Sequence, residues 1–479
     1  MAPLSHVKLF ANVKKTRAEG RGRRSQPGGP SEDNPKGAAV SNGRSASWGV
    51  LRRSRAWVVA QRYELLAVGL YVFVLAVRAP RILFEGRFWA EEGAVFLQYA
   101  WTHSFLDALT APHAGYYNLV ANMAGLVAAH VPLEDAPRFT AAIALFIQSL
   151  PAVVVLFTNI PGLATPMRKA MALLLLLVVP ANPEVYLITI NAHFVLCAAT
   201  GLVLVSEQGG RADRVFKWLL LGVGGLSGVV STFLAPLFWV RWWRERQRDR
   251  LTQTLILTVC ALLQGVLIAL GVADQERHLR INPTVMVGAA YAKFIAMPVA
   301  PVKPVLVGLE QLRQGLEAEG ALPAWVWLST AAGFGVLLLA CWRSGNRTAR
   351  FLAAASIGLI VLASPGSREA VTEQRLLAHL TGAIRYYYAA EVFFFLALLV
   401  ALDQGSGLPK VLRILGGVWL GAVLLMGSFN FARAPLDWPM IFYGPPWGQQ
   451  VEQWRKDPSK PLELWPAGWG WHVSLTPKP

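Results

Sequence analysis

A series of long apolar runs constrains the fold of this chain more than any other feature. The runs include Leu65–Val77, Ala141–Phe157, Met171–Val179, Leu251–Val272 and Val411–Met426. A membrane-spanning helix needs about 20 mostly apolar residues, or about 17 at the short end, so several runs predict tilted, broken or partly buried helices. Only 15% of the 479 residues are charged, whereas soluble domains carry roughly 25%. We therefore predict an all-α polytopic membrane protein.

The basic residues orient this predicted protein in the membrane. The net charge is +17, and most Lys and Arg fall in the N-terminal tail and in alternate loops, which the positive-inside rule places in the cytoplasm. We read this charge as a topology signal rather than as a nucleic-acid site. The C-terminal tail is then periplasmic or extracellular. Eleven crossings are predicted, near residues 64–79, 138–158, 169–182, 193–206, 216–229, 232–243, 252–272, 323–342, 350–364, 386–402 and 411–429.

The crossings divide the chain into three regions. Residues 1–62, rich in Gly, Ser and Arg, predict a disordered basic cytoplasmic tail. Residues 63–429 form the predicted transmembrane domain, with a first outer loop at 78–138 and a large outer loop at 273–322. Residues 430–479 form a small, irregular outer tail. Counting Tyr116–His130 as a crossing would invert the charge pattern, so we predict an interfacial or re-entrant helix there.

Candidate site residues lie in the predicted outer loops. The first outer loop contains RFWAEEG, with adjacent acids Glu91 and Glu92, and PHAGYYNL, with His113 and Tyr116. A carboxylate beside low-dielectric lipid can acquire the pKa of a general base. Since adjacent residues of a helix do not face each other, one acid can point into a cleft while the other caps or pairs. Alternatively, both are solvated acids at a helix start.

Two further outer segments supply polar residues. PANPEVYLITINAH contains Glu184 and His193, and GAIRYYYAAEVF contains Arg385 and Tyr386. Arg385 is suited to holding a phosphate. A polar turn and a snorkelling arginine are the simpler interpretations of these two segments. Glu391 falls inside a predicted crossing, where a carboxylate is costly and indicates function by default.

The remaining sequence excludes several classes of protein. The three cysteines lie inside apolar runs and show no metal-thiolate spacing. The chain has no Walker A motif and no HExxH sequence, and nothing in it indicates a nucleotide-driven enzyme.

The layout resembles the GT-C membrane glycosyltransferases. A basic tail, one crossing and a long outer loop opening with an acidic pair are shared features. More specifically, FWAEEG and PHAGYYNL are similar to an aromatic–Ala–Glu–Asp–Gly sequence and a Pro–x–Ala–Gly–Tyr stretch in bacterial GT-C-like proteins. The WPAGWGWHVSL ending is similar to their closing segment. The chain has Glu92 where these proteins usually have Asp.

The resemblance implies a multi-pass enzyme of the bacterial cytoplasmic membrane. It would move a sugar, with inversion, from a polyprenyl-phosphate donor to a glycan, lipid or protein acceptor in the cell envelope. Glu91 or Glu92 would be the base that activates the acceptor hydroxyl, and Arg385 would hold the donor phosphate. His113, Tyr116, Glu184, His193 and Tyr386 would line the substrate cleft. Some relatives use a divalent metal, and no cofactor is certain from the sequence.

Two alternative functions stay open at this point. A transporter or lipid flippase would also have broken helices and an intramembrane acid such as Glu391. A polysaccharide polymerase of the O-antigen type would also have many spans and a large outer loop, but such enzymes rely on arginines there. The predicted outer loops of this chain are nearly neutral.

Overall fold

The computed structural model describes residues 61–179, 183–270, 282–363, 377, 379–403 and 407–477. Nearly all of the predicted N-terminal tail and part of the predicted large outer loop lie outside these ranges. Helix dominates the described residues, and their only sheet is a pair of two-residue strands. The prediction of an all-α protein is confirmed.

The α-helices of the described residues, in chain order, are α1 (Arg62–Arg78), α2 (Pro80–Phe84), α3 (Gln98–Thr102), α4 (Phe105–Thr110), α5 (Leu119–His130), α6 (Ala136–Phe157), α7 (Pro166–Val178), α8 (Ala192–Val205), α9 (Arg211–Leu226), α10 (Ala235–Glu245), α11 (Arg248–Ala269), α12 (Pro283–Ala290), α13 (Val302–Glu319), α14 (Ala324–Arg343), α15 (Arg347–Ala363), α16 (Tyr388–Ala401), α17 (Lys410–Asp437), α18 (Pro439–Phe442) and α19 (Trp447–Lys456). The shorter elements are π-helices at Glu92–Leu97 and Tyr291–Ala296, 3₁₀ turns at Pro183–Val185, Ser231–Leu234, Met297–Val299 and Ile384–Tyr387, and the strands β1 (Leu462–Glu463) and β2 (His472–Val473).

Two helices, α8 and α16, lie at the centre of the fold and are buried along their whole length. Their sequences, AHFVLCAATGLVLV and YAAEVFFFLALLVA, are apolar on nearly every side. A helix of that composition belongs in the interior of a large protein. Gly201 of α8 permits their close approach, because a Cβ atom there would lie 2.1 Å from the ring of Phe393 in α16.

A helix lies at each of the eleven predicted crossings, but these helices differ in length. Five candidate spans are long and apolar enough to cross a membrane: α6, α11, α14, α17 and the segment Ile384–Ala401, which contains α16. The other six helices, α1, α7, α8, α9, α10 and α15, have 11–17 residues. At about 1.5 Å per residue they are shorter than a hydrocarbon core of about 30 Å. The count of eleven crossings therefore stays a prediction.

The predicted outer loops contain more packed structure than the sequence indicated. Helix α5 buries eight of its twelve residues within the protein, and at this length it is too short to cross the hydrocarbon core. An interfacial or re-entrant position for this segment stays a prediction. Helix α13 is amphipathic, because its buried residues Val302, Leu309 and Leu316 recur at intervals of seven.

The C-terminal tail is also more ordered than predicted. The predicted boundary at residue 429 lies inside α17, which continues to Asp437. After it, α18, α19 and the β1–β2 pair form a folded segment, so the prediction of an irregular tail is corrected. The physical reason is a second apolar core, in which Trp447 and Trp454 of the tail pack with Phe88 and Leu97 of the first loop. The predicted first outer loop and the tail therefore fold as one layer.

Candidate functional site

A cavity of about 650 Å³ lies where the first loop, the segment after α7, the start of α16 and the C-terminal tail meet. We call it the loop cavity. Of the eight site residues predicted from the sequence, Glu92 is the one that does not line it. The seven predicted residues that the structure brings together here are Glu91, His113, Tyr116, Glu184, His193, Arg385 and Tyr386.

The backbone around the acidic pair sends its two carboxylates in different directions. Ala90 has φ 35°, in the left-handed region, and its N–H donates to the carbonyl oxygen of Trp465 at 2.6 Å. Glu91 is the N-cap of the π-helix Glu92–Leu97. Its side chain lines the loop cavity and is partly exposed, whereas Glu92 points into the protein and is 3% exposed. The pair is thus one cavity acid and one buried acid.

Glu92 links the first loop to the segment that follows α7. Its Oε2 accepts from the backbone N–H of Trp89 at 2.9 Å, and its Oε1 accepts from both the backbone N–H and the hydroxyl of Thr189. Burial raises the pKa of Glu92, while the hydrogen bonds from Thr189 and Trp89 and the charge of Arg87 lower it in part. These contacts suit a carboxyl that holds the walls of the cavity in place.

Replacing Glu92 by Ala is therefore expected to destabilise the protein. The change leaves two buried backbone N–H groups unpaired, at about 1–3 kcal/mol each, for a total of about 2–6 kcal/mol. The thermal unfolding midpoint of the detergent-purified protein measures the effect. Glu85→Ala is the matched control, since Glu85 is an exposed acid paired with Arg81 and such pairs contribute about 0–1 kcal/mol. Equal midpoints for the two variants would contradict the role assigned to Glu92.

The motif PHAGYY forms a tight turn at the edge of the cavity. His113 and Tyr116 exchange two backbone hydrogen bonds, of 3.1 and 3.2 Å. Between them Ala114 has φ 53° and Gly115 has φ 81°, as in a type I′ turn, where both central residues need positive φ. This turn brings His113 and Tyr116 side by side on the cavity wall. Phe96 and Tyr99 form T-shaped contacts with the His113 ring, and burial lowers the pKa of His113.

The cavity lining also includes an arginine–carboxylate pair. Nη1 of Arg385 lies 2.7 Å from Oε2 of Glu184, and both side chains are partly exposed to the cavity. The side-chain amide of Asn191 donates to the backbone carbonyl of Glu184 at 2.7 Å and so fixes that loop. The guanidinium of Arg385 also lies over the ring of Tyr386, 5.0 Å from its centroid. The structure thus places a cation and two acids around one space.

Backbone strain is concentrated around this space. Four of the five described non-glycine residues with positive φ are Ala90, Ala114, Leu187 and Ala383. They lie beside Glu91, beside His113, in the segment of Glu184 and just before Arg385. Each such conformation costs on the order of 1–3 kcal/mol and tends to occur at functional sites. The distribution supports the loop cavity as the functional site.

Sequence reasoning missed Arg87, which lies outside the cavity lining but links the segments that form it. Arg87 is 2% exposed, donates to the backbone carbonyls of Ile441 and Tyr186, and lies over the rings of Trp89 and Trp465. It joins the first loop, the Glu184 segment and the tail. The sequence did contain a signal for this role, since Arg87 is a basic residue in a predicted outer loop, and these loops are nearly neutral.

The tail contributes Pro466, Trp469 and Trp471 to the cavity wall. Trp469 is 60% exposed. The density of Trp, Gly and Pro in WPAGWGW was the signal for this contribution, but periodicity alone gives no location for such a segment.

Metal ligation has no clear candidate in the described part of the chain. Within it, no group of three or more His, Cys, Asp or Glu side chains could hold a metal ion. A divalent metal stays an expectation from the resemblance.

No family model, curated protein or solved structure matches this chain.

Proposed function

We propose that this protein is a membrane glycosyltransferase of the GT-C type, which moves a sugar from a polyprenyl-phosphate donor to a cell-envelope acceptor. One observation carries the proposal: the lining of a single cavity combines a carboxylate, Glu91, a cation, Arg385, an apolar wall and an aromatic wall. Sugar transfer from a lipid phosphate needs these four components together.

The apolar wall suits a lipid-linked donor. It is built from the residues that follow α9 and from the end of α15. A polyprenyl chain is apolar along its length and gains about 0.8 kcal/mol for each CH₂ group it buries. Its phosphate would lie toward Arg385, at the polar end. The apolar lining residues are Val229, Val230, Phe233, Leu359 and Leu362.

The aromatic wall suits a sugar. Trp89, Tyr116, Trp469 and Trp471 line the side formed by the first loop and the tail. Aromatic rings offer an apolar face together with a polar edge group, which matches a sugar ring with C–H groups on one face and hydroxyls around it.

The proposed reaction assigns separate roles to the two charged groups. Glu91 accepts the proton of the acceptor hydroxyl as the acceptor oxygen bonds to the anomeric carbon. The bond between that carbon and the phosphate oxygen breaks, and the lipid phosphate leaves with the electron pair. Arg385 compensates the developing negative charge, so the leaving group needs no proton. Glu184 keeps Arg385 oriented through their 2.7 Å contact.

A comparison of membranes with and without the protein tests this function directly. Radiolabelled polyprenyl-phosphate sugars are supplied, and the lipid-linked pool and the surface glycans are followed with time. We expect protein-dependent loss of label from the donor and its gain in a glycan, lipid or protein acceptor. Uptake or flipping of the intact donor without cleavage would contradict transferase activity.

The proposed topology is eleven crossings in the bacterial cytoplasmic membrane, with a cytoplasmic N-terminus. It places the loop cavity on the outer side, where lipid-linked sugars meet envelope acceptors. A reporter fused after Pro479 is expected to be active only outside the cytoplasm, and a second reporter in the α14–α15 connection, which contains Gly345, only inside. A cytoplasmic signal at Pro479 would contradict both the orientation and the position of the site.

A transporter is the second candidate, because one buried acid lies away from the loop cavity. Glu391, 1% exposed in the buried helix α16, interacts electrostatically with Lys293, which is also buried. Glu391→Gln separates the two functions: a transporter that couples to this acid would lose its transport, whereas the proposed transfer needs only the groups of the loop cavity. The polymerase alternative gains no support, since Arg385 is the single arginine among the described lining residues.

A further inference from the structure

A second cavity, of about 710 Å³, lies at the other end of several helices. We call it the arginine cavity. Helix α10 contributes Leu237, Val240 and Arg244, at a spacing that puts them on one helix face. Helix α15 contributes a similar face from its first two turns, and Trp342 comes from the end of α14. The α15 residues are Arg347, Arg350, Phe351 and Ala354.

Within the described residues, the positive charge of this cavity is not balanced by an ion pair. Glu245, next to Arg244, already pairs with Arg241 and Arg250. Among the described residues, no ion pair joins Arg244, Arg347 or Arg350 to a carboxylate.

Arg350 is nonetheless held in place. It donates to the carbonyl oxygens of Trp342 at 2.9 Å and Cys341 at 3.3 Å. Since guanidinium has five N–H donors, these two contacts leave others for a ligand.

We propose that the arginine cavity binds a phospholipid with an anionic headgroup. The phosphate would bind the three arginines, whose planar groups match phosphate oxygens, and an acyl chain would lie against Leu237, Val240 and Phe351. Two observations favour a lipid over a free phosphate: the apolar wall continues directly from the arginines, and the side chains of Val240 and Trp342 are exposed.

The position of the arginine cavity fits this occupant. Arg244 is at the end of α10 and Arg347 begins α15, and the charge pattern predicts that both ends face the cytoplasm. Basic pockets between helices on that side are known to bind anionic headgroups. The simpler alternative is that these arginines only snorkel toward water above the apolar helices. In that case they would attract anionic lipids in general and retain none of them.

Native mass spectrometry of the full-length protein distinguishes these two cases. The protein is purified in a neutral detergent at about 0.15 M salt, where charges farther apart than about 8 Å are screened. It is then titrated with phosphatidylglycerol or phosphatidylcholine. We expect one saturable phosphatidylglycerol per chain and no comparable retention of phosphatidylcholine. In the triple variant R244Q/R347Q/R350Q, binding is expected to weaken about a hundredfold, from about a fivefold effect for each of the three arginines.

The matched control removes the same charge elsewhere. Arg211, Arg248 and Lys410 are exposed, on the same predicted face and outside the lining of the arginine cavity. The variant R211Q/R248Q/K410Q is expected to bind phosphatidylglycerol within about threefold of the natural protein, because those charges are screened. Inorganic phosphate alone, at millimolar concentration, is expected to leave the bound lipid in place. Full retention by the first triple variant, equal loss in the control, or displacement by phosphate would each overturn the proposal.

Discussion

Replacing Glu91 by Gln is expected to lower the rate of sugar transfer by about 10²–10⁴-fold, the usual contribution of a positioned general base. Gln keeps the size of the side chain but cannot accept the acceptor's proton. Glu91 lines the loop cavity and Glu92 does not, so the loss should appear in catalysis and leave folding intact. The measurement is the initial transfer rate in membranes supplied with polyprenyl-phosphate sugar, with protein amount matched by immunoblot.

Glu92→Gln is the control for this experiment. It makes the same chemical change at the neighbouring residue, where the carboxyl accepts hydrogen bonds from Trp89 and Thr189 and is buried. We expect a lower unfolding midpoint and a smaller loss of transfer per folded molecule. If E91Q retains its full rate while E92Q loses catalysis at unchanged stability, the roles of the two acids are reversed. Full activity in both variants would exclude the pair from catalysis.

The separation of the two acids was predictable only in outline. Adjacency in the sequence indicated that one carboxylate could face a cleft while the other capped or paired, and the structure has this arrangement. The left-handed turn at Ala90 and the hydrogen bonds donated by Thr189 determine which acid lines the cavity and which is buried. Thr189 lies 97 residues from Glu92 in the chain. A contact of that separation leaves no trace in local periodicity.

The positions of the helices were predictable from the sequence, but their lengths were not. Hydropathy located a helix at every predicted crossing. An apolar run that is removed from water forms a helix because the helix pairs its own backbone N–H and C=O groups. Hydropathy did not give helix lengths, since α7 and α10 end where Val179 is extended and Arg246 has φ 53°. The tail was the least predictable element. Its fold depends on Trp447 and Trp454 packing on the first loop. The i, i+4, i+7 spacing of Trp447, Val451 and Trp454 indicates a helix, but it does not show what that helix packs against.

Replacing Arg385 by Gln is expected to lower transfer by about 10²–10³-fold, the effect of removing one donor that stabilises developing charge. The loss should fall mainly on kcat, because the charge on the phosphate grows as the sugar leaves. Arg385→Lys is expected to recover part of the rate, since Lys keeps the positive charge but lacks the planar fork.

Glu184→Gln separates this role of Arg385 from a structural one. Arg385 and Glu184 form an ion pair at 2.7 Å, so either substitution breaks the pair, but E184Q leaves the cation in the cavity. If Arg385 acts on the phosphate, E184Q loses much less activity than R385Q at a similar unfolding midpoint. If the pair serves only to hold the Glu184 loop against α16, the two variants lose activity and stability equally. A kcat that changes less than threefold in R385Q would exclude Arg385 from the mechanism. The comparison therefore tests whether the loop cavity is a site for a departing phosphate, which is the property that distinguishes a lipid-phosphate-dependent transferase from a protein that only carries its ligand across the membrane.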